Sequence, residues 1–111
     1  MKLTTAKRIC KRLSCQYGII KTPDLIPMPY SHKGKCVALG YYDNERNTVE
    51  INKYALELWD SERIQEIIQH ELIHTRCYQD FGHGGHGERF QILAELMGVP
   101  EHVRVAVKKA E

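Results

Sequence analysis

Five residues near the middle of the chain, His70-Glu71-Leu72-Ile73-His74, constrain its fold more than any others. They form H-E-x-x-H, a pattern in which two histidines bind zinc and the glutamate between them serves as general base. Residues four apart on an α-helix lie roughly 40° apart around its axis, so both imidazoles can reach one metal ion. The stretch therefore predicts a zinc-binding helix in which Glu71 reaches the metal's water without ligating the metal.

The residues around this motif favour a helix from Ser61 to about Gln79. Apolar residues recur there at helical spacing: Ile64, Ile67, Ile68 and Leu72. Asp60 or Ser61 offers an N-cap. A pair of histidines beside an apolar stripe also occurs on helices that bind no metal, so the five-residue pattern alone leaves that interpretation open.

The glycine-rich stretch 81–90, FGHGGHGERF, supplies candidates for a third ligand. A catalytic zinc usually has three protein ligands and an open position for water. His86 is favoured, because it stands at the predicted start of a helix running to about Met97 and falls on the apolar face of that helix. His83, among the glycines, and Glu95, further along the helix, are the alternatives.

Together these motifs resemble those of the SprT-like zinc metalloproteases, which include the Spartan proteases. The likeness rests on H-E-L-I-H followed twelve residues later by H-G-x-x-F, and upstream on LGYY at 39–42 and TVEIN at 48–52. It covers residues 36–98 well and residues 1–35 loosely. The resemblance implies that His70, His74 and His86 bind Zn²⁺ and that Glu71 is catalytic. The chain has no paired C-x-x-C, so we expect the protease domain without the C-terminal zinc ribbon of many SprT-like proteins.

The expected fold is a small α+β, zincin-like metalloprotease domain, with a short β-sheet packed on the H-E-x-x-H helix and further helices flanking it. The apolar run 36–42 and the alternating run 48–52 are joined by turn formers, which predicts a β-hairpin. A length of 111 residues is typical of one domain. Within it we expect a basic N-terminal helix and a proline-containing loop over 1–35, and the metalloprotease core over 36–98.

Charge is distributed unevenly along the chain. Residues 1–35 carry eight Lys and Arg against one acidic residue, a net +7, whereas residues 36–111 carry eight against thirteen, a net −5. Four cations share one face of the predicted first helix: Lys7, Arg8, Lys11 and Arg12. Such a face suits the phosphates of DNA or RNA, and it equally suits a solvated protein surface.

Composition and cysteine spacing indicate where in the cell the protein is located and whether it contacts a membrane. No stretch approaches the ~18 apolar residues of a membrane span, and the N-terminus lacks the apolar region of an export signal. The cysteines, at positions 10, 15, 36 and 77, show neither zinc-ribbon nor redox spacing. We therefore expect free thiols and a cytoplasmic protein without membrane contact. We also expect a monomer, and the family resemblance implies a protein or peptide substrate.

The predicted function is hydrolysis of peptide bonds by a zinc-activated water, with DNA-associated proteins as candidate substrates where the basic helix contacts DNA. One alternative is a nucleic-acid- or protein-binding module whose metal is structural, with Cys77 or His83 as a fourth ligand. Another is a different metal-dependent hydrolase, such as a nuclease, that uses the same histidines. Glu71 argues against both alternatives, because neither requires a glutamate at that position.

Overall fold

A computed structural model describes residues 1–28, 39–82 and 87–104 of the chain. In chain order these residues form α1 (Leu3–Gln16), β1 (Asp24–Met28), β2 (Gly40–Asp43), β3 (Thr48–Asn52), α2 (Lys53–Leu58), α3 (Ser61–Phe81), α4 (Glu88–Met97) and a 3₁₀ turn (Glu101–Val103). Helices α1 and α4 and the sheet all contact α3. The arrangement is α+β, with α3 at its centre.

Within the described residues, the sheet has three strands in the order β1-β3-β2, with β1 parallel and β2 antiparallel to β3. The predicted hairpin is therefore confirmed as β2–β3. Val49 and Ile51 of β3 are completely buried, as their alternation with polar residues predicts. The prediction of a proline-containing loop after α1 is wrong for residues 24–28, which form β1. Pro27 is accommodated because β1 is an outer strand of the described sheet, where a residue without a backbone donor is tolerated. Because β3 is the middle strand, β2 is the other outer strand.

Helix α3 has a defined start and a defined end. The Asp60 carboxylate accepts a hydrogen bond from the Arg63 backbone N–H at 2.9 Å, which is an N-cap. Gly82 ends the helix in the left-handed conformation, with φ of +82°. All four residues of the turn 70–73 are buried, because the sheet, α1, α4 and the 3₁₀ turn surround the helix. The helix predicted over 61–79 is confirmed and continues for two further residues.

Helix α1 lies where the basic N-terminal helix is expected, and helix α4 starts later than predicted. Helix α1 begins at Leu3, with Lys2 in the N-cap position. Helix α4 begins at Glu88 behind Gly87, two residues later than predicted, and ends at Gly98 with φ of +77°. His83 and His86 lie outside the described residues. Beyond α4, the sequence suits either a short helix that starts at Pro100 or a strand over 103–107. Of this stretch, Glu101–Val103 forms the 3₁₀ turn, and residues 105–107 lie outside the described residues.

Two further expectations concern membranes and thiols. None of the helices in the described ranges combines the length and apolar character that a bilayer crossing requires. Cys10, Cys15 and Cys77 are free thiols. Cys36 lies outside the described residues.

Candidate active site

Helix α3 brings the two histidines of the motif side by side. The ring centres of His70 and His74 are 5.0 Å apart, with their planes at 68°. Imidazoles that share one tetrahedral zinc, about 2.0–2.1 Å from each ring nitrogen, have centres roughly 5 Å apart. The observed spacing and the nitrogen donors therefore fit a zinc ion. His70 is only 4% exposed, and His74 is half-buried.

A backbone carbonyl fixes the protonation of the first ring. His70 Nδ1 lies 2.7 Å from the Val103 carbonyl oxygen. A carbonyl oxygen only accepts hydrogen bonds, so Nδ1 carries the proton and donates it. In the neutral ring the lone pair is then on Nε2, the nitrogen that a metal would use. Sequence reasoning missed this contact, because nothing in the sequence pairs residues 70 and 103.

Phe90 of α4 covers both histidine rings. Its ring centre lies 5.4 Å from that of His70 and 4.7 Å from that of His74. Phe90 itself is 1% exposed, and its inward orientation was expected from the apolar face of α4. The aromatic side chain limits the access of solvent to the imidazoles and lowers the local dielectric.

Glu71 lies next to the histidines with its side chain turned into the protein. It is 7% exposed, and burial raises the pKa of its carboxyl to about 8, because the charged form loses its hydration. A divalent cation nearby would favour the carboxylate and lower this pKa. Burial therefore favours the protonated form of this carboxyl, whereas a bound cation would favour the carboxylate.

Gly40, the first residue of β2, lies directly against this carboxyl. A side chain at position 40 would begin 3.0 Å from Glu71 Oε2 and 2.7 Å from the Cγ2 atom of Ile67. Both distances are too short for a carbon atom to be accommodated without a shift. The backbone of the outer strand β2 thus borders the site. In the sequence, Gly40 was noted only as part of the LGYY stretch.

The alternative metal ligands do not join the two histidines. Within the described ranges, no group of three or more His, Cys, Asp or Glu side chains could hold a metal ion. Neither Cys77 nor Glu95 therefore completes a site with His70 and His74, and Glu95 is exposed on α4. The favoured third ligand, His86, and its alternative, His83, belong to the segment that the structure leaves undescribed.

The predicted basic face lies on the outer side of α1. Arg8, Lys11 and Arg12 are exposed, whereas the opposite side of the helix is buried against β1 and α3. Lys7 is partly buried, and its Nζ forms an ion pair with Asp24 Oδ1 at 3.0 Å. Three of the four predicted cations are thus fully available to an anionic partner.

Comparison with known proteins gives concordant matches. A model of the SprT-like family matches residues 8–109. Protein SprT of Glaesserella parasuis serovar 5 (strain SH0165) is 30% identical over 73 residues, which make up 64% of this chain and 46% of that protein. The chain thus spans about half the length of the curated relative it matches.

Two solved structures of metallopeptidase zymogens are similar in fold. Jannalysin of Methanocaldococcus jannaschii matches with a TM-score of 0.59 and 24% identity, over 81% of this chain and 78% of that one. Abylysin of Pyrococcus abyssi matches with a TM-score of 0.66 and 15% identity, over 89% of this chain and 85% of that one. These likenesses confirm the expected α+β, zincin-like fold.

Proposed function

Because this chain belongs to the SprT-like family, we propose that it is a zinc-dependent metallopeptidase that hydrolyses peptide bonds in protein substrates. One observation carries the proposal: two imidazoles with ring centres 5.0 Å apart share a helical turn with a buried carboxyl. Two neutral nitrogen donors and an adjacent carboxyl are the parts that metal-assisted hydrolysis requires.

His70, His74 and His86 are the proposed zinc ligands. The proton on His70 Nδ1 leaves Nε2 as the donor nitrogen. Support for His86 comes from α4, since Phe90, four residues further on, contacts both other rings and brings the start of this helix to the site.

Glu71 is the proposed general base and acid. When bound, zinc polarises the substrate carbonyl and lowers the pKa of its water toward ~7. Glu71 accepts one proton from the attacking water, whose oxygen forms the new bond to the peptide carbonyl carbon. As the C–N bond breaks, the same carboxyl gives its proton to the leaving amine. A carboxyl whose pKa is raised by burial is a stronger base than an exposed one, which suits it to taking up the proton of the attacking water.

The outer strand β2 is the proposed binding edge for the substrate. Its first residue, Gly40, touches Glu71, so a peptide that pairs with this strand passes close to the catalytic carboxyl. Strand addition uses main-chain hydrogen bonds and demands little of the substrate sequence. We propose that the enzyme takes extended segments of proteins.

The proposal extends to proteins associated with DNA. The exposed cations Arg8, Lys11 and Arg12 lie on one helix face and can contact phosphates. Such contacts would hold a DNA-bound substrate near the enzyme without participating in the chemistry.

The two alternatives are less well supported. A structural-metal module needs a closed set of ligands, and Cys77, one of its two candidates for the fourth ligand, does not join His70 and His74 within the described residues. The other candidate, His83, lies outside the described residues. Neither that module nor a nuclease accounts for the burial of Glu71 beside the metal-binding histidines.

Zinc content and cleavage specificity test the proposal together. We expect one zinc per chain by elemental analysis, and cleavage of an unstructured protein that stops when a chelator is added. His70→Ala and His74→Ala should lose both zinc and activity. The control His32→Ala, which removes a histidine that has no partner at metal-ligand spacing in the sequence, should keep both. A parent protein that takes up no zinc would refute the metal site, and cleavage of nucleic acid with protein left intact would favour the nuclease.

The third ligand is tested by three single substitutions. His86→Ala should abolish tight zinc binding and activity, because only two imidazoles would remain. His83→Ala and Glu95→Gln should retain both. The assignment is wrong if His86→Ala binds zinc as tightly as the parent while one of the other two variants does not.

A further inference from the structure

The segment that follows α4 forms a short loop against α3. It runs from Val99 to Arg104, and both Val99 and Val103 are 1% exposed. The Val99 backbone N–H donates to the Ala94 carbonyl at 3.0 Å, which fixes the start of the loop to the end of α4. Near its other end, the Val103 carbonyl accepts the proton of His70 Nδ1.

Arg104 closes this loop on itself. Its Nε and Nη2 atoms both donate to the Val99 carbonyl, at 3.1 and 2.9 Å. Its backbone N–H also donates to the Glu101 carbonyl at 3.1 Å. A charged donor with a planar fork makes stronger and more directional hydrogen bonds than a neutral side chain. The six residues from 99 to 104 are thus held as one closed unit.

An outer contact fixes the same loop to α3. His102 Nε2 lies 2.9 Å from Glu66 Oε2, and Glu66 is one helical turn before His70. The loop therefore contacts α3 at two successive turns, through His102 at Glu66 and through Val103 at His70. This second contact is on the protein surface, since the His102 side chain is 66% exposed.

We infer that Arg104 is a positioning residue for His70. By closing the loop, its guanidinium keeps the Val103 carbonyl facing Nδ1, and the imidazole is held in the form with its proton on Nδ1 and its lone pair on Nε2. Neutral imidazole otherwise exchanges between two tautomers, of which only one presents Nε2 to a metal. The inference rests on the proposed function, because it gives this orientation a use in zinc binding.

The test compares Arg104→Ala and Arg104→Lys with the parent and with Arg46→Ala, which removes an exposed arginine from the β2–β3 turn. Nitrogen-15 NMR of the metal-free full chain reports which nitrogen of His70 carries the proton. Competition with a chromogenic chelator measures zinc affinity, and thermal unfolding measures stability.

In Arg104→Ala we expect His70 to show both tautomers and the zinc affinity to fall about tenfold. A tenfold loss is the lower end of the range for removing a residue that orients a metal ligand. Arg104→Lys, which keeps a charged donor, should lie between Arg104→Ala and the parent, and Arg46→Ala should match the parent. If Arg104→Ala does not fold, Arg104→Lys decides by the same two measurements.

An Arg104 variant that melts earlier with an unchanged tautomer would make the residue merely structural and overturn the inference. The inference would also be overturned if the parent binds zinc and the Arg104 variant shows a changed His70 tautomer but the same zinc affinity as the parent. If the parent binds no zinc, the proposed function fails separately, and the NMR comparison of the metal-free chains still decides whether Arg104 positions the ring.

Discussion

The outer face of α1 and the middle turn of α3 both carry ionisable side chains on a helix, yet their surroundings are opposite. On α1, Arg8, Lys11 and Arg12 point into solvent, where they keep their hydration at no cost to folding. On α3, His70 and Glu71 are 4% and 7% exposed. Burying a carboxyl destabilises the fold unless a partner or a bound ion compensates. Solubility alone is enough to explain the basic face of α1, whereas the cost of burying His70 and Glu71 indicates that these side chains serve a function.

The two regions also differ in how many parts of the chain they need. The α1 face is complete within three turns of one helix. The α3 site uses residues far apart in sequence, because β2 supplies Gly40, α4 supplies Phe90 and the 3₁₀ turn supplies the Val103 carbonyl. Convergence of distant elements on a buried polar group is stronger evidence for chemistry than local charge density.

The sharpest test of this contrast compares Glu71→Gln with Glu62→Gln. The second variant is the control, because it changes an exposed glutamate in the first turn of the same helix. Glutamine keeps the shape of Glu71 but cannot accept the proton, so peptide cleavage should fall by about 10²–10⁴. Zinc content and the circular dichroism spectrum should stay at parent values. Glu62→Gln should cleave at the parent rate. Equal activity of Glu71→Gln and the parent would disprove the proposed mechanism.

Gly40→Ala tests whether β2 positions the proposed catalytic carboxyl of Glu71. The added methyl would lie 2.7 Å from Ile67 Cγ2 and 3.0 Å from Glu71 Oε2, so the Ile67 side chain must shift and the carboxyl must give way by a few tenths of an ångström. Small misplacements of reacting groups cost up to about 10²-fold in rate, and we expect a 10- to 100-fold loss in kcat/KM. Zinc affinity serves as the internal control and should not change, because the three atoms nearest to a methyl group at position 40 belong to Ile67 and Glu71. Full activity in this variant would mean that the Glu71 carboxyl tolerates displacement.

Local features of the fold could be predicted from the sequence. Helix α3 follows from isoleucines at helical spacing and the Asp60 cap, and the β2–β3 hairpin follows from alternation around a run of turn formers. The candidate site residues His70, Glu71 and His74 could also be predicted, because H-E-x-x-H is itself a local pattern on α3. In each case the pattern and the structure it produces lie within about twenty residues.

Long-range features could not be predicted in this way. That β3 is the middle strand depends on the pairing of Leu25 with Val49, across the undescribed segment 29–38. The role of Gly40 depends on how closely β2 approaches α3. Val103 belongs to a stretch whose pattern suits either a helix or a strand, and packing against α3 decides its conformation. Tertiary contacts outweigh local preference at all three positions.

Charge reversal would reveal whether the α1 face is more than a solvated surface. Lys11→Glu combined with Arg12→Glu is compared with Arg46→Glu combined with Lys53→Glu, which changes net charge equally at exposed sites elsewhere. If α1 contacts phosphates, the first pair should weaken DNA binding on the order of tenfold and lower its salt dependence by nearly one unit per lost contact. The second pair should behave as the parent. If the two pairs of substitutions weaken DNA binding equally, the binding is a non-specific attraction of the protein's charge to DNA and does not depend on the α1 face.

The smallest expected effect concerns the one cation of this face that has a described ion pair. Lys7 and Asp24 are 3.0 Å apart, but their side chains are 40% and 64% exposed, so water and salt screen the attraction. Exposed pairs of this kind contribute about 0.2–1 kcal/mol. Lys7→Ala should therefore lower the free energy of unfolding in urea by less than about 1 kcal/mol, and most of the loss should vanish in 1 M salt, where the Debye length is ~3 Å.

Lys11→Ala, one turn further along the exposed face, is the matched control and should change stability by less than about 0.5 kcal/mol. A loss above about 2 kcal/mol for Lys7→Ala that persists in high salt would show that this part of α1 is held by more than a surface pair, and the contrast with α3 would then apply only to Arg8, Lys11 and Arg12.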